Sequence, residues 1–147
     1  MPRLRFGHIG ICVSDWERSL RFYHDVLGFR FVGEARESGP ESERLLGLAP
    51  VDLHTGSLER EGVRIELRHF ARPGSRGDGA PAALNELGLS HLSLRVEALD
   101  ALLAELRRRG VHILEETRAD LPQRGARAVF IADPDGTLIE LVEQPGD

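Results

Sequence analysis

The chain has 147 residues, of which 41% are hydrophobic and 29% are charged, and its formal net charge is −5 at pH 7. A chain of this length forms one domain or two small fused halves, and the acidic balance argues against nucleic-acid binding, which needs a basic excess. No apolar run reaches the roughly 18 residues of a membrane span, and the N-terminus lacks the apolar core of a signal peptide. The single cysteine, Cys12, cannot form an internal disulfide and is expected to be buried, and we expect a cytoplasmic location.

The first half begins with an apolar segment that predicts a strand over residues 5–13. Ser14, with Glu17 three positions later, has the pattern of a capping box at a helix start, and apolar residues then recur at helical spacing. Gly28 is placed to end that helix in a left-handed conformation. A short second strand over residues 29–32 is predicted to follow the glycine.

An acidic and irregular segment, residues 33–50, comes next, with a short helix expected over residues 42–48. Apolar residues then predict two strands, over residues 51–58 and 63–70. The dipeptide Glu61-Gly62 between them is typical of a tight turn, so these strands are predicted to form a hairpin.

Residues 73–87 are rich in glycine and proline, so we interpret them as a linker between a first module, residues 1–72, and a second module, residues 88–147. The second module repeats the plan of the first. Its predicted elements are a strand over 89–96, a helix over 99–109, strands over 111–115, 126–132 and 137–143, and a tight turn over 133–136. Both modules therefore predict the order β-α-β-β-β.

The two modules also match in their polar residues. A shift of 83 positions (91 − 8) places His8 on His91, and a shift of 74 positions (140 − 66) places Glu66 on Glu140. The first module carries the extra residues, which its irregular segment can absorb. An internal repeat of this kind is a stronger signal than any single motif.

Each of these four residues lies in a predicted strand that is otherwise apolar. Because side chains alternate across a strand, Glu66 and Glu140 point away from the apolar face that packs on the helices. A single histidine in such a strand is more often packed in the protein than bound to a metal. A single glutamate there usually lies on the solvent-exposed side of an antiparallel sheet. Their coincidence across the repeat favours a shared site, and two imidazoles with two carboxylates suit a divalent first-row ion such as Zn, Ni, Co, Fe or Mn.

Two motifs lie near the ends of the chain: HIGICVSD at residues 8–15, with SLRFY and VLGF after it, and FIADPDGTLIEL at residues 130–141. They resemble the opening and the C-terminal signature of the vicinal oxygen chelate superfamily, which includes glyoxalase I, methylmalonyl-CoA epimerase, extradiol dioxygenases, fosfomycin-resistance enzymes and bleomycin-binding proteins. The likeness covers about residues 5–144. It implies an α+β fold in which two tandem βαβββ modules form a cup-shaped, partly open mixed β-barrel with the helices outside.

The resemblance also implies a function. The set His8, Glu66, His91 and Glu140 resembles the metal ligands of glyoxalase I, and Glu140, then Glu66, are the glutamates expected to shuttle a proton. We expect a metal-dependent lyase or isomerase, glyoxalase I-like or epimerase-like, that chelates vicinal oxygens of a small substrate and stabilises an enediolate or enolate. A bleomycin-resistance-type protein that sequesters its ligand and an Fe(II) extradiol-type dioxygenase stay open.

Partners are expected to be a small-molecule substrate and a second copy of the chain in a homodimer, with no nucleic acid and no membrane. Basic residues for a glutathione or CoA tail do not stand out in the sequence. The possible ones are Arg3, Arg5, Arg95, Arg124 and Arg127.

Overall fold

Strands and short helices alternate along the computed structural model, which describes residues 1–144. In chain order the elements are β1 (Ile9–Cys12), α1 (Trp16–Leu20) continued by a π-helical segment (Arg21–Val26), β2 (Arg30–Ser38), α2 (Pro40–Leu46), β3 (Asp52–Arg60), β4 (Val63–Arg72), β5 (Leu92–Arg95), α3 (Leu99–Arg108), β6 (His112–Leu121), β7 (Ala126–Ala132) and β8 (Leu138–Glu143). None of the helices within these residues is long and apolar enough to cross a membrane.

The chain divides into two compact units, one of residues 1–77 and one that starts at Asp78. Within the described residues each unit holds one four-stranded mixed sheet, ordered β1-β4-β3-β2 in the first and β5-β8-β7-β6 in the second. The predicted α+β fold with two βαβββ modules is confirmed, with α2 as an addition between β2 and β3 of the first. The linker over residues 73–87 and the module limits stay predictions, and the last three residues of the second module, 145–147, lie outside the described part.

Each sheet has one apolar side, which packs on the helix of its own unit. In the first unit Ile11, Ile65 and Leu67 are buried on that side, and in the second unit Ile139 and Leu141 are buried in the same way. Burial of an aliphatic side chain of this size stabilises the fold by about 1.5–3 kcal/mol. Glu66, Arg68 and Glu140 alternate with these positions and so point to the opposite side of their sheet, which is called the polar side below.

Two predicted strands are shorter than the apolar segments suggested. Strand β1 covers four residues and not residues 5–13, and β5 covers four residues and not residues 89–96. Each exists only where a partner strand lies beside it, because Ile9–Cys12 pairs with residues 65–68 and Leu92–Arg95 pairs with residues 139–142. His8 and His91 therefore immediately precede their strands.

The first helix begins one residue later than the capping box indicated. Asp15 is the N-cap residue, and its carboxylate accepts a hydrogen bond of 3.0 Å from the backbone N–H of Arg18. The hydroxyl of Ser14 accepts a 3.0 Å hydrogen bond from the Arg18 guanidinium instead. Gly28 ends the helical stretch with φ of 75°, as predicted.

Residues 33–50 are more regular than predicted. Strand β2 extends to Ser38, and α2 begins at Pro40, a residue whose fixed φ suits the first helical position. Strand β2 forms a long antiparallel ladder with β3, which pairs the backbone groups on one edge of β2 although its side chains are mostly exposed. Strand β6 likewise exceeds its predicted range and runs to Leu121.

The indole of Trp16 lies across β3 on the apolar side of the first sheet. A Cβ atom at Gly56 would lie 2.5 Å from the Trp16 ring, so the absence of a side chain at Gly56 lets the ring approach the strand. The same ring stacks on His54, with 3.5 Å between ring centroids, and His54 Nε2 lies 2.5 Å from a carboxylate oxygen of Glu34. His54, which is buried, therefore serves packing between the helix and the strands.

The start of α3 is closed by a side chain from β8. The carboxylate of Glu143 accepts a 2.6 Å hydrogen bond from the backbone N–H of Leu99 and a 2.9 Å hydrogen bond from Arg127. The Leu99 N–H, followed by the Arg127 guanidinium, holds the pKa of Glu143 below its usual value. Arg127 also pairs with Asp100 in the first turn of the helix, so this arginine is used on the helix side.

We predict that Gly56→Ala destabilises the first unit by about 1–3 kcal/mol, because a rigid ring must move to admit the new methyl group. Urea unfolding of the variant measures the change. Gly33→Ala in the neighbouring strand is the control, since a Cβ at Gly33 meets no atom within 4 Å. Equal stability of the two variants would contradict the packing described for Trp16.

We also predict that Glu143→Gln lowers the melting temperature at neutral pH. A pKa that is lower in the folded chain means that the carboxylate stabilises the fold above its unfolded pKa, about 4.3, and that this contribution disappears as the pH falls through the folded pKa. The difference in melting temperature between the two proteins should therefore shrink as the pH falls below about 4. Glu116→Gln, an exposed carboxyl in β6, is the control and should show no such pH-dependent difference.

Candidate functional site

In the first unit, two of the predicted site residues lie side by side. Gly10 of β1 pairs in register with Glu66 of β4, and His8 is two residues before Gly10, so His8 and Glu66 share the polar side of the sheet. His8 Nε2 lies 3.6 Å from Glu66 Oε2, and the side chains are 41% and 15% exposed. The parallel pairing of β1 with β4 thus places an imidazole nitrogen next to a carboxylate.

The second unit repeats this register. Ser93 of β5 pairs with Glu140 of β8, and His91 is two residues before Ser93. The hydroxyl of Ser93 donates a 3.0 Å hydrogen bond to Glu140 Oε1. His91 Nδ1 lies 2.8 Å from the Ser90 hydroxyl, and its ring meets the edge of Phe130 with centroids 5.3 Å apart. With Nδ1 occupied by Ser90, Nε2 is the nitrogen of His91 that a ligand would meet.

The sequence analysis missed a basic residue beside Glu66. The Arg68 guanidinium contacts Glu66 Oε1 through Nη1, and the Arg68 side chain is 22% exposed. A cation therefore neighbours Glu66, one of the two predicted carboxylate ligands. The signal was present in the sequence, because Arg68 follows Glu66 by two positions in a strand and so lies on the same side.

Cys12 also belongs to this polar side and is exposed, although it was expected to be buried. Cys12 follows Gly10 by two positions, and it pairs in register with Arg68. The apolar neighbours that suggested burial, Ile11 and Val13, point to the helix side. Alternation along the strand separates Cys12 from both.

Comparison with known proteins gives the family. Residues 5–141 match the model of the Glyoxalase/Bleomycin resistance protein/Dioxygenase superfamily. The chain belongs to this superfamily. The resemblance seen in the sequence motifs is thereby confirmed.

Relatives in this superfamily align over nearly the whole chain. The uncharacterized protein YwkD of Bacillus subtilis is 38% identical over 137 residues, covering 93% of this chain and 94% of the relative, and the uncharacterized protein YaeR of Escherichia coli is 34% identical over 138 residues with the same coverage. A glyoxalase family protein of Bacillus cereus has a crystal structure that covers 99% of this chain and 97% of its own, with a TM-score of 0.83 and 25% identity.

Relatives with named activities are more distant. The mitochondrial methylmalonyl-CoA epimerase of Bos taurus is 27% identical, covering 93% of this chain and 73% of the enzyme. A probable lactoylglutathione lyase of Synechocystis is 28% identical, covering 92% of each chain. A fosfomycin resistance protein of Listeria monocytogenes, which has a similar fold with a TM-score of 0.58 and 16% identity, has a crystal structure in complex with Mn(II).

In the first unit of this superfamily member, the donor atoms fit half of a metal site. Two ligand atoms on one ion, each bonded at about 2.1 Å, lie roughly 3.0–3.5 Å apart, close to the 3.6 Å between His8 and Glu66. Within residues 1–144, no group of three or more His, Cys, Asp or Glu side chains suited to a metal ion is present. Each unit by itself therefore offers two candidate ligands, and the convergence of all four on one ion stays a prediction.

Proposed function

We propose that the chain is a divalent-metal-dependent lyase or isomerase, glyoxalase I-like or epimerase-like, acting on a small substrate with two neighbouring oxygens. The observation that carries this proposal is the repeated register of the two units. In each unit one strand residue lies opposite a glutamate, and a histidine stands two residues before that strand residue. Repetition of one donor pair on equivalent strands is difficult to explain by packing alone. The relatives named as an epimerase and as a lyase support the same class of reaction.

In this proposal His8, Glu66, His91 and Glu140 bind one ion, Zn, Ni, Co, Fe or Mn, with ligands from one chain or from two. When bound, the ion acts as a Lewis acid that polarises the substrate oxygens and stabilises the enediolate or enolate. Imidazole and carboxylate ligands suit these first-row metals. In this proposal the histidines act as ligands alone.

Glu140 is the proposed base that takes a proton from a substrate carbon and returns it, and Glu66 is the second choice. Their surroundings support this order. Glu140 accepts a hydrogen bond from the neutral hydroxyl of Ser93, whereas Glu66 is paired with the Arg68 guanidinium. The guanidinium holds one oxygen of Glu66 by a charge-assisted hydrogen bond, so Glu140 is the less tightly held of the two carboxylates.

A homodimer is the proposed assembly. The segments that precede β1 and β5 each carry exposed apolar residues spaced two apart, at positions related by the same shift of 83 that relates the histidines. Exposed apolar side chains next to a site are typical of an interaction surface. The residues are Leu4 and Phe6 in the first unit and Leu87 and Leu89 in the second.

A second candidate function is an Fe(II) extradiol-type dioxygenase. The contact of Arg68 with Glu66 favours this candidate. If that contact kept Glu66 from binding the ion, two histidines and the single carboxylate of Glu140 would remain as ligands. Three such ligands with open positions are typical of non-haem Fe(II) oxygenases. Oxygen uptake with catechols by the iron-loaded protein tests this candidate, and a metal-free protein that binds aromatic cations would indicate the bleomycin-resistance type instead.

We predict that the purified protein holds about one divalent ion per proposed site, and that His8→Ala or His91→Ala weakens metal binding by more than about 100-fold. Loss of a direct ligand should exceed the 10–100-fold effect of losing an outer partner. Elemental analysis and a chelator competition measure the binding. His24→Ala, on the first helical stretch, is the control and should bind metal normally; normal binding by His8→Ala and His91→Ala would contradict the proposal.

We predict that Glu140→Gln lowers turnover by about 10²–10⁴-fold, the usual contribution of a general base, while retaining metal better than the histidine variants. The assay compares adducts of α-keto aldehydes with thiols and acyl-CoA thioesters on protein of known metal content. The matched control is Glu41→Gln, an exposed residue of α2. Normal turnover by Glu140→Gln would show that the assignment of the base is wrong.

A further inference from the structure

The Arg68 side chain lies on the polar side of the first sheet, against the pair formed by His8 and Glu66. Its aliphatic part crosses Gly10, where an added Cβ would lie 3.2 Å from Arg68 Cδ. Its guanidinium reaches Glu66, and the whole side chain is 22% exposed. Gly10 therefore leaves the space that this arginine occupies beside the candidate ligands.

The two oxygens of Glu66 have different partners. Oε1 contacts the Arg68 guanidinium, whereas Oε2 is the oxygen near His8 Nε2. A guanidinium–carboxylate hydrogen bond is charge-assisted and about twice as strong as a neutral one. The carboxylate is thus held by one oxygen and presents the other toward the histidine.

The second unit lacks this arrangement at the equivalent position. The shift of 74 that places Glu66 on Glu140 places Arg68 on Val142, an apolar residue. Glu140 has the hydroxyl of Ser93 at 3.0 Å. The two glutamates share a register but differ in the group that restrains them.

We propose that Arg68 is a positioning residue that holds Oε1 of Glu66, so that Glu66 binds the ion through Oε2 alone and stays in place during the reaction. This inference rests on the proposed function, since it needs an ion at His8 and Glu66. Hydrogen bonds to the outer atoms of a ligand fix its orientation, and their removal typically costs about 10–100-fold in metal affinity. The difference between Arg68 and Val142 then makes Glu66 the fixed carboxylate and Glu140 the carboxylate free to move a proton.

The test measures Co²⁺ and Ni²⁺ binding by the full chain and by Arg68→Met, which keeps much of the side-chain length but removes the charge and the donors. We expect Arg68→Met to bind both ions about 10–100-fold more weakly, and Arg68→Lys, which can still donate to Oε1, to recover part of the loss. The visible absorption of bound Co²⁺ reports its coordination and should change in Arg68→Met, because Glu66 can then use both oxygens.

Arg64→Met is the matched control. Arg64 lies in the same strand, two residues on the other side of Glu66, and pairs with Glu59. We expect the Arg64→Met variant to bind Co²⁺ with the same affinity as the unmodified chain. Gly10→Ala is a second variant, in which the new methyl group pushes Arg68 Cδ by about a few tenths of an ångström without changing any charge. It should weaken metal binding in the same direction, by less than Arg68→Met, and it serves as the test if Arg68→Met does not fold.

Unchanged metal affinity in both Arg68→Met and Gly10→Ala would overturn the inference and leave the proposed function intact. Tighter binding by Arg68→Met would also overturn it, because Arg68 would then compete with the ion for Glu66. Failure of the unmodified chain to bind Co²⁺ or Ni²⁺ would overturn the proposed function together with the inference.

Discussion

Parallel pairing of the first strand with the last strand of each unit is the constraint on which the candidate site depends. Strand β1 lies beside β4 and β5 beside β8, and in both pairs the register sets a small residue, Gly10 or Ser93, opposite a glutamate. A slip of one residue would turn Glu66 and Glu140 into the apolar side and expose their buried neighbours. Burial of Ile65, Leu67, Ile139 and Leu141 opposes such a slip, so the hydrophobic packing of each sheet also determines where its polar residues point.

Similar donors acquire different properties from their neighbours. Glu66 and Glu140 occupy equivalent positions, yet a guanidinium contacts one and a hydroxyl contacts the other. Gly10 contributes to this difference, because any larger residue would crowd Arg68. Equivalent backbone positions in the two units can therefore have different surroundings, and the difference depends on single side chains such as Arg68 and Val142. In the proposed site, a carboxylate that stays on the ion must be held in place and a carboxylate that moves a proton must be mobile, and the surroundings of Glu66 and Glu140 differ in this direction.

Much of the fold was predictable because it depends on local periodicity and repetition. Alternation along the strands, the turn at Glu61-Gly62, and the glycine after the first helical stretch were all evident in the sequence. The errors arose where a distant partner decides the outcome. Strand β1 is short because its pairing with β4 covers only four residues, and β2 is long because β3 pairs with it along its whole length. The repeat identified His8 and Glu66 as candidates, because both have counterparts in the second half. Arg68 has no such counterpart, and a comparison of the two halves therefore missed it.

The stabilising contacts and the candidate site residues lie on opposite sides of the same strands. On the helix side, Trp16 packs over Gly56, and Glu143 closes the start of α3. On the other side lie the histidines, the glutamates and Arg68. Because neighbouring residues in a strand point in opposite directions, a change at a polar position leaves the packing of the next residue nearly untouched. The polar side can thus vary its ligands and charges on a constant core. That freedom is a physical reason why one superfamily joins glyoxalases, resistance proteins and dioxygenases, and why the function of this chain has to be argued from its own side chains.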